Sequence, residues 1–244
     1  MEIRVLASGS KGNAYLISDG ISSLLIEAGI PFAEIREKLN FRTSEISCCL
    51  ISHGHQDHCK AVADVMKAGI DVYCSEGTAK EANLSGHRLH VVRSLEQFVA
   101  GKNYLVMPFD LQHDSEEPLG FLVYSAHERL LYVTDSQYIK YRFQGLTQIA
   151  VECNYSLDLI RRSVKSEEFN LHLKNRIMKN HLSLESLMNF CQANDLSKVQ
   201  SIHLLHLSDI NSDAEMFKRS IQELTGKPVV IAQKRGTPTR CARS

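Results

Sequence analysis

One stretch constrains this chain more than any other: Ser52, His53, Gly54, His55, Gln56, Asp57 and His58. It places three histidines and an aspartate directly after the apolar run Ile46–Ile51, which reads as a buried strand. A helical pattern begins near Lys60. The polar side chains therefore sit on a loop at the C-terminal end of a strand, where a rigid scaffold commonly holds a site. His53 and His55 alternate as strand residues do, so both point to one side. Asp57 and His58 lie past the turn and face a second point nearby. Two neutral imidazoles suit one zinc-like ion, and a carboxylate with an imidazole suits another.

The chain of 244 residues can bury a large core, and its 23% charged and 43% apolar residues are ordinary for a globular protein. The formal net charge is zero, so the molecule as a whole does not attract nucleic acid by charge, although local patches still can. No apolar run of about 18 residues is present, which argues against a membrane-spanning helix or a membrane partner. Met1, Glu2, Ile3 and Arg4 enter a strand-like run without a signal-peptide pattern, which points to the cytoplasm. The cysteines, Cys48, Cys49, Cys59, Cys74, Cys153, Cys191 and Cys241, are odd in number and form no CxxC pair. Reduced thiols fit this pattern, and Cys59 and Cys153 read as core filling despite their polar neighbours.

The chain opens as a β-meander, with strands over 3–7, 14–18 and 23–27 and the turn Ser8–Asn13 between the first two. Pro31 starts a helix over 31–40. After the histidine loop come a helix over 60–68, a strand over 70–74 and a helix over 76–84. Residues 87–134 are mainly β, with strands over 89–92, 104–108, 120–124 and 130–134. His113 follows the 104–112 run, Asp135 ends the 130–134 run, and Glu152 ends the 148–151 run. From about 156 the pattern turns helical, over 156–163, 166–179, 183–193 and 213–224, with short strands at 200–205 and 228–231. This order suits an α/β (α+β) chain whose two sheets pack face to face with helices outside, a four-layer αββα sandwich in one domain over 1–233. The basic tail 234–244 is expected to fray.

The pattern HxHxDH resembles that of the metallo-β-lactamase-fold hydrolases, and later strand ends supply the remaining residues of that family in order. The resemblance implies a first metal held by His53, His55 and His113, a second held by Asp57, His58 and His206, and Asp135 bridging both. Within the fold the chain is most similar to the YycJ/WalJ-type subgroup, over about residues 3–233. The segments that carry this are Leu6–Asn13, Leu24–Gly29, the His53–His58 loop, His113-Asp114 with Gly120-Phe121, and the His-Leu-Ser segments at 181 and 206. Glu27 departs from the subgroup, which more often has an aspartate there to orient a ligand. Having both His58 and Asp135 resembles the phosphodiesterase and nuclease branch and points away from β-lactam cleavage. The chain has no room for the large inserted domain of the mRNA-processing and DNA-repair nucleases. It also lacks the Gly-rich arm of the tRNA 3′-processing enzymes.

The implied activity is hydrolysis of a phosphodiester by a hydroxide held between two divalent cations, zinc favoured by the nitrogen and oxygen donors and manganese also accommodated. His181, at a helix N-terminus, resembles the catalytic histidine of the tRNA-processing relatives, and Glu152 the carboxylate that supports it. A cationic imidazole there can donate a proton to the leaving oxygen. With Asp57 and Asp135 these two complete the catalytic set. Ser8, Ser10 and Asn13 belong to a loop able to hydrogen-bond a phosphate, although the GKS or GKT of a P-loop is absent. His87, His90, His127, His172 and His203 read as ordinary residues, and His203 is expected to face away from His206. A DNA exonuclease is the family-implied function. Its local support is the basic segment Arg161, Arg162, Lys165, Lys174, Arg176 and Lys179, opposed only by Glu167 and Glu168. Two other readings stand. One is a phosphodiesterase for a small substrate such as a cyclic nucleotide, which suits the zero net charge and the acidic Asp114–Glu117 stretch. The other is a metal-binding regulatory module without turnover, against which the complete ligand set argues. Relatives of the fold often dimerise, so a homodimer is compatible.

Overall fold

Alternation of apolar residues along the strands sets the layers of the computed structural model, which describes residues 1–163 and 171–232. The first sheet runs β1 (Glu2–Ala7), β2 (Ala14–Ser18), β3 (Ser23–Ile26), β4 (Ile46–Leu50), β5 (Asp71–Cys74), β6 (Leu89–Val91) in chain order. The second runs, also side by side in chain order, β7 (Phe98–Ala100), β8 (Tyr104–Asp110), β9 (Leu119–Ser125), β10 (Glu128–Val133), β11 (Gln148–Glu152), β12 (Ser201–Leu205), β13 (Val229–Ile231). Tyr15, Ile17, Leu24, Ile26 and Leu50 meet Tyr104, Val106, Phe121, Val123, Leu130 and Tyr132 in a core between the sheets. The intervening residues face outward. Leu25, Cys49 and Val72 pack with Ile35 of α1 (Phe32–Lys38), Val62 and Val65 of α3 (Val62–Lys67) and Ala79 of α4 (Glu76–Glu81), α2 (Gln56–Cys59) lying between α1 and α3 in the chain. Leu131, Val133, Ile149, Val151, Ile202 and Leu204 form the other outer core. Against it pack Leu187 and Phe190 of α7 (Leu184–Ala193) and Phe217 and Ile221 of α8 (Ala214–Thr225); α5 (Leu157–Ser163) and α6 (Leu171–Asn180) precede α7. Each fully buried side chain of this kind contributes roughly 1.5–3 kcal/mol, so strands apolar on both faces demand four layers. The αββα sandwich expected from the sequence is the fold observed.

Strand direction gathers the polar strand ends. From β10 to β13 the strands are parallel, and β8 is antiparallel to β9, which is antiparallel to β10. The C-terminal ends of β8, β10, β11 and β12 therefore lie at one edge, carrying His113, Asp135, Glu152 and His206.

The helix expected over 60–68 is observed as α3, Val62–Lys67, and a further short helix, α2, precedes it. The histidine loop itself winds into α2, and the chain then breaks at Ala61, whose N–H donates to Ala28 O at 2.8 Å rather than continuing α2. The strand β7 was not expected. At three residues it is too short to display a period of two, and Val99 on it is 63% exposed. The helix expected over 166–179 is observed as Leu171–Asn180, and residues 164–170 lie outside the described residues, Lys165, Glu167 and Glu168 among them. The expected basic tail and Cys241 also lie outside them. The other cysteines are buried free thiols, as expected. Among the described residues no helix is long and apolar enough to cross a membrane.

His203 pairs across the sheet with Ala150, a residue of the inter-sheet core. Burial holds its imidazole down at about 4. The unfolded chain takes up this proton below roughly 6.5, whereas the folded chain resists until about 4. Stability is therefore full above pH 6.5 and is lost as the pH falls through 4, by on the order of 3 kcal/mol. Urea denaturation between pH 7 and 4 should show a flatter profile for His203→Gln. Identical profiles would remove the effect from this residue.

Candidate metal centre

Two groups of donors meet at the strand-end edge. His53, His55 and His113 form one, and Asp57, His58, Asp135 and His206 the other, the ligand atoms within each lying no more than 4.8 Å apart. His55 Nδ1 stands 3.1 Å from His113 Nε2. His113 Nδ1 donates to the carbonyl of Asn180 at 3.0 Å, which leaves Nε2 with its lone pair. His53 Nδ1 bonds Ser52 Oγ at 2.8 Å, and its buried Nε2 has no partner. In the second group His206 Nδ1 stands 2.6 Å from Asp135 Oδ1, and its buried Nε2 likewise has no hydrogen-bond partner. A buried imidazole nitrogen without a hydrogen bond is costly unless something else meets it. Unpartnered imidazole nitrogens in both groups, at His53 Nε2 and His206 Nε2, beside carboxylates and no thiolate, fit divalent cations.

Asp135 lies between the groups. Its Oδ2 is 3.6 Å from His53 Nε2, 3.9 Å from His113 Nε2 and 3.2 Å from His58 Nε2. Two carboxylates and one imidazole of the site sit on strained backbone: Asp135 at φ 41°, Glu27 at φ 65° and His206 at φ 48° are all left-handed. Such conformations cost about 1–3 kcal/mol each outside glycine and persist where the surroundings over-determine them. Each of these residues follows a strand and turns its side chain into the site.

Burial pulls His53 well below the ordinary histidine range, and the neighbouring His58 adds to this, so His53 is a neutral donor. Burial also raises Asp135, but His206 and His58 outweigh it and hold the carboxyl well below its usual range. Asp135 is thus an anion in the floor of the site.

Glu152 is a hub. Its Oε2 accepts from Leu182 N at 3.0 Å and Ser136 N at 3.3 Å, and its Oε1 from His181 Nδ1 at 2.6 Å and His206 Nδ1 at 3.1 Å. His181 stands 3.7 Å from Asp135 Oδ1, is 21% exposed, and has Nε2 as its free nitrogen. Burial works to lower the His181 pKa, but the charge and hydrogen bond of Glu152 raise it above the ordinary value, with Asp135 assisting. Glu152 therefore favours the cationic form of the imidazole beside the donor groups. Asp135, Glu152, His181 and His206 could also be read as a third set of metal donors.

Glu27, the departure noted in the sequence, still reaches. Its Oε1 accepts from Tyr132 Oη at 3.2 Å, its Oε2 accepts from Ser52 N at 3.3 Å, and Oε2 lies 3.6 Å from His58 Nδ1. The turn 8–13 behaves differently from the expectation of a phosphate loop. Ser8 and Asn13 are buried. Ser8 Oγ accepts from His206 N at 2.9 Å, and the Asn13 amide donates to Asp57 O at 3.3 Å and approaches His58 Nε2 at 3.1 Å. These two side chains are struts for the donors, because their polar atoms are already engaged. Ser10 alone of the three is exposed. In the basic segment Arg162 pairs with Asp158 at 2.5 Å, and Arg176 lies 3.8 Å from Asp114. The Asn180 carbonyl that orients His113 escaped the sequence reading, since a backbone atom leaves no signature beyond its place before His181.

Gly29 lets the loops close. A Cβ there would lie 1.7 Å from Asp57 O and 2.7 Å from Asn13 N. Gly29→Ala should therefore displace the backbone of Asp57, destabilise the fold by about 2–4 kcal/mol, and weaken zinc binding. Urea denaturation and zinc titration measure both, and native values of each would refute the argument.

The layered sheets and this donor set define a metal-dependent hydrolase. The chain belongs to the beta-lactamase superfamily: the profile of the Beta-lactamase superfamily domain matches residues 23–193. It is 27% identical over 228 residues to the exodeoxyribonuclease WalJ of Streptococcus pneumoniae, covering 87% of this chain and 83% of that one. It is 23% identical over 241 residues to the exodeoxyribonuclease YycJ of Bacillus anthracis, covering 92% and 89%. Among solved structures, the metallo-beta-lactamase fold protein YhfI of Bacillus subtilis superposes with a TM-score of 0.71 at 13% identity, over 96% of this chain and 97% of that one.

Proposed function

We propose that this protein is a DNA exonuclease acting through two divalent cations. The observation that carries the reading is the Glu152–His181 pair beside Asp135. Breaking a phosphodiester needs a proton at the leaving oxygen, and a cationic imidazole anchored through Nδ1 has Nε2 to give. Support for DNA comes from the two relatives called exodeoxyribonucleases, at 27% and 23% identity. His53, His55 and His113 would hold one cation, Asp57, His58 and His206 the other, and Asp135 both. Bound cations supply Lewis acidity, lowering the pKa of water toward neutrality and offsetting phosphate charge. Glu27, Asn13 and Ser8 keep the donors oriented, Glu152 keeps His181 protonated and aimed, and exposed Ser10 is available to a phosphate. Zinc suits the donor set, and manganese is the second choice.

A phosphodiesterase for small diesters is the second reading. It is favoured by an acidic lip, where Glu81 and Asp114 lie 3.9 and 4.0 Å from His55 Nε2 and would repel a polyanion. The test is end-labelled duplex DNA with zinc, with manganese and with chelator. The nuclease reading expects stepwise shortening with metal, none with chelator, and a steep loss of binding as salt rises. An intact duplex under both metals, together with salt-insensitive turnover of a cyclic nucleotide, would sink it in favour of the second.

A further inference from the structure

We infer that the cleft between the loop 137–143 and α7 binds an unpaired nucleotide of the DNA strand whose phosphate is cut. The inference rests on the nuclease reading above. The cleft has a volume of about 260 Å³. Both of its walls begin at the candidate centre. On one side Ser136 N donates to Glu152 Oε2 at 3.3 Å and Gln137 N to Gln112 O at 3.0 Å, so the loop departs from Asp135 already anchored. On the other, α7 starts at Leu184, just past His181. From Ser186 to Asn194 the helical wall runs about 12 Å, the reach of a short piece of single strand.

The lining chemistry selects the occupant. Tyr138 is 44% exposed, and its ring stacks on no other ring among the described residues. Tyr141 is fixed by donation from its hydroxyl to Asp110 and by Phe109, 5.5 Å away between ring centroids, with Lys140 Nζ 5.0 Å from its own. Arg142 is exposed and has no acidic partner among the described residues. On α7, Asn189 offers an exposed side-chain amide with no partner among the described residues. Among the described residues no carboxylate lines the cleft, and Asp110, next to it, is engaged by Lys140 and Tyr141. Aromatic rings stack bases without regard to sequence, and a cation beside them holds a phosphate; Arg142 is that cation here, because Lys140 is paired with Asp110. Carboxylates crowd His55 instead, where Glu81 and Asp114 lie 3.9 and 4.0 Å from Nε2 and Glu116 N donates to Glu81 Oε2 at 3.2 Å, so a polyanionic strand is repelled there and not by the cleft lining.

The probe is a fluorescein-labelled single-stranded oligonucleotide, titrated by anisotropy into the full chain carrying His181→Ala with zinc present, so that it is bound and not consumed. Adding Tyr138→Ala should weaken binding about 10-fold, and Tyr138→Phe should restore it. Adding Arg142→Ala should lower the slope of log affinity against log salt by about 0.7, the share of one phosphate contact on a single strand. With His181 intact, Tyr138→Ala should lose a similar factor in kcat/KM on DNA. It should keep both its melting temperature and its turnover of bis(p-nitrophenyl) phosphate, a diester with no neighbouring nucleotide to seat in the cleft. Unchanged affinity and salt slope in these variants, with DNA still cut by the native chain, overturn the cleft and leave the nuclease reading. Tyr138-dependent binding by a native chain that cuts no DNA overturns the nuclease reading and keeps the cleft. An oligonucleotide that does not bind at all overturns the cleft, and a native chain that also leaves DNA intact overturns both.

Discussion

Replacing His181 with alanine should lower kcat for DNA cleavage by about 10²–10⁴-fold, the usual worth of a positioned general acid, and leave the metal content unchanged. The geometry gives His181 one committed nitrogen and one free one. Nδ1 is spent on Glu152 Oε1 at 2.6 Å, and Glu152 is buried with four donors around its two oxygens. A ring held so firmly by one edge presents the other at a fixed angle. The role can be separated from that of a ligand by the choice of leaving group. A p-nitrophenolate leaves without needing a proton, so His181→Ala should cost little on bis(p-nitrophenyl) phosphate and much on DNA. Glu152→Gln should lower DNA cleavage as well, and the double variant should lose much less than the two single losses combined, because the carboxylate acts largely through the His181 imidazole and otherwise by orienting His206. Equal losses on both substrates, or a loss of bound zinc in His181→Ala, would show that the histidine belongs to the third donor set instead.

The fold was legible because its information is local. Strands such as β3 and β10 are apolar on both faces, which only a sandwich covered by helices can satisfy, and the chain announces both layers of strands. The donors were legible because His53, His113, Asp135 and His206 come just after strands, out of keeping with the apolar runs before them, and His55, Asp57 and His58 cluster in the one loop and short helix that follow β4. The parts that could not be read are pairings across the chain. Ser8 and Asn13 look like any polar turn. That Ser8 accepts from the backbone of His206, at 2.9 Å, depends on how two sheets stack and has no trace in either segment. Glu27 shows the same limit from the other side. The sequence records a side chain one methylene longer than the expected aspartate, but not the left-handed backbone, φ 65°, that brings its carboxylate to Ser52 and near His58. Tyr138 and Arg142 carried no periodic signal at all, and they matter only because the loop bearing them leaves from Asp135.

Asp135→Asn should remove metal from both groups at once, whereas His53→Ala and Asp57→Ala should each spare one. A single oxygen, Asp135 Oδ2, lies 3.6 Å from His53 Nε2 in the first group and 3.2 Å from His58 Nε2 in the second. No other donor among the described residues approaches both groups with an anionic oxygen so placed. The amide in Asn keeps the volume and removes the charge, so a neutral ligand must serve two cations. Loss of an orienting contact alone typically costs 10–100-fold in metal affinity, and loss of a shared anionic ligand should cost roughly 100-fold or more at each position. Elemental analysis of the purified variants reads this as stoichiometry: about two ions per native chain, one for His53→Ala, one for Asp57→Ala and none retained by Asp135→Asn. Thermal melting reads the same linkage independently of activity. Zinc at about 100 times its dissociation constant should stabilise the native chain by about 2.7 kcal/mol, and the shift should vanish in Asp135→Asn. Native stoichiometry in Asp135→Asn would contradict the bridging position. One ion in the native chain, lost entirely with His53→Ala and kept with Asp57→Ala, would reduce the centre to the three histidines and leave the second group as an ion-paired floor.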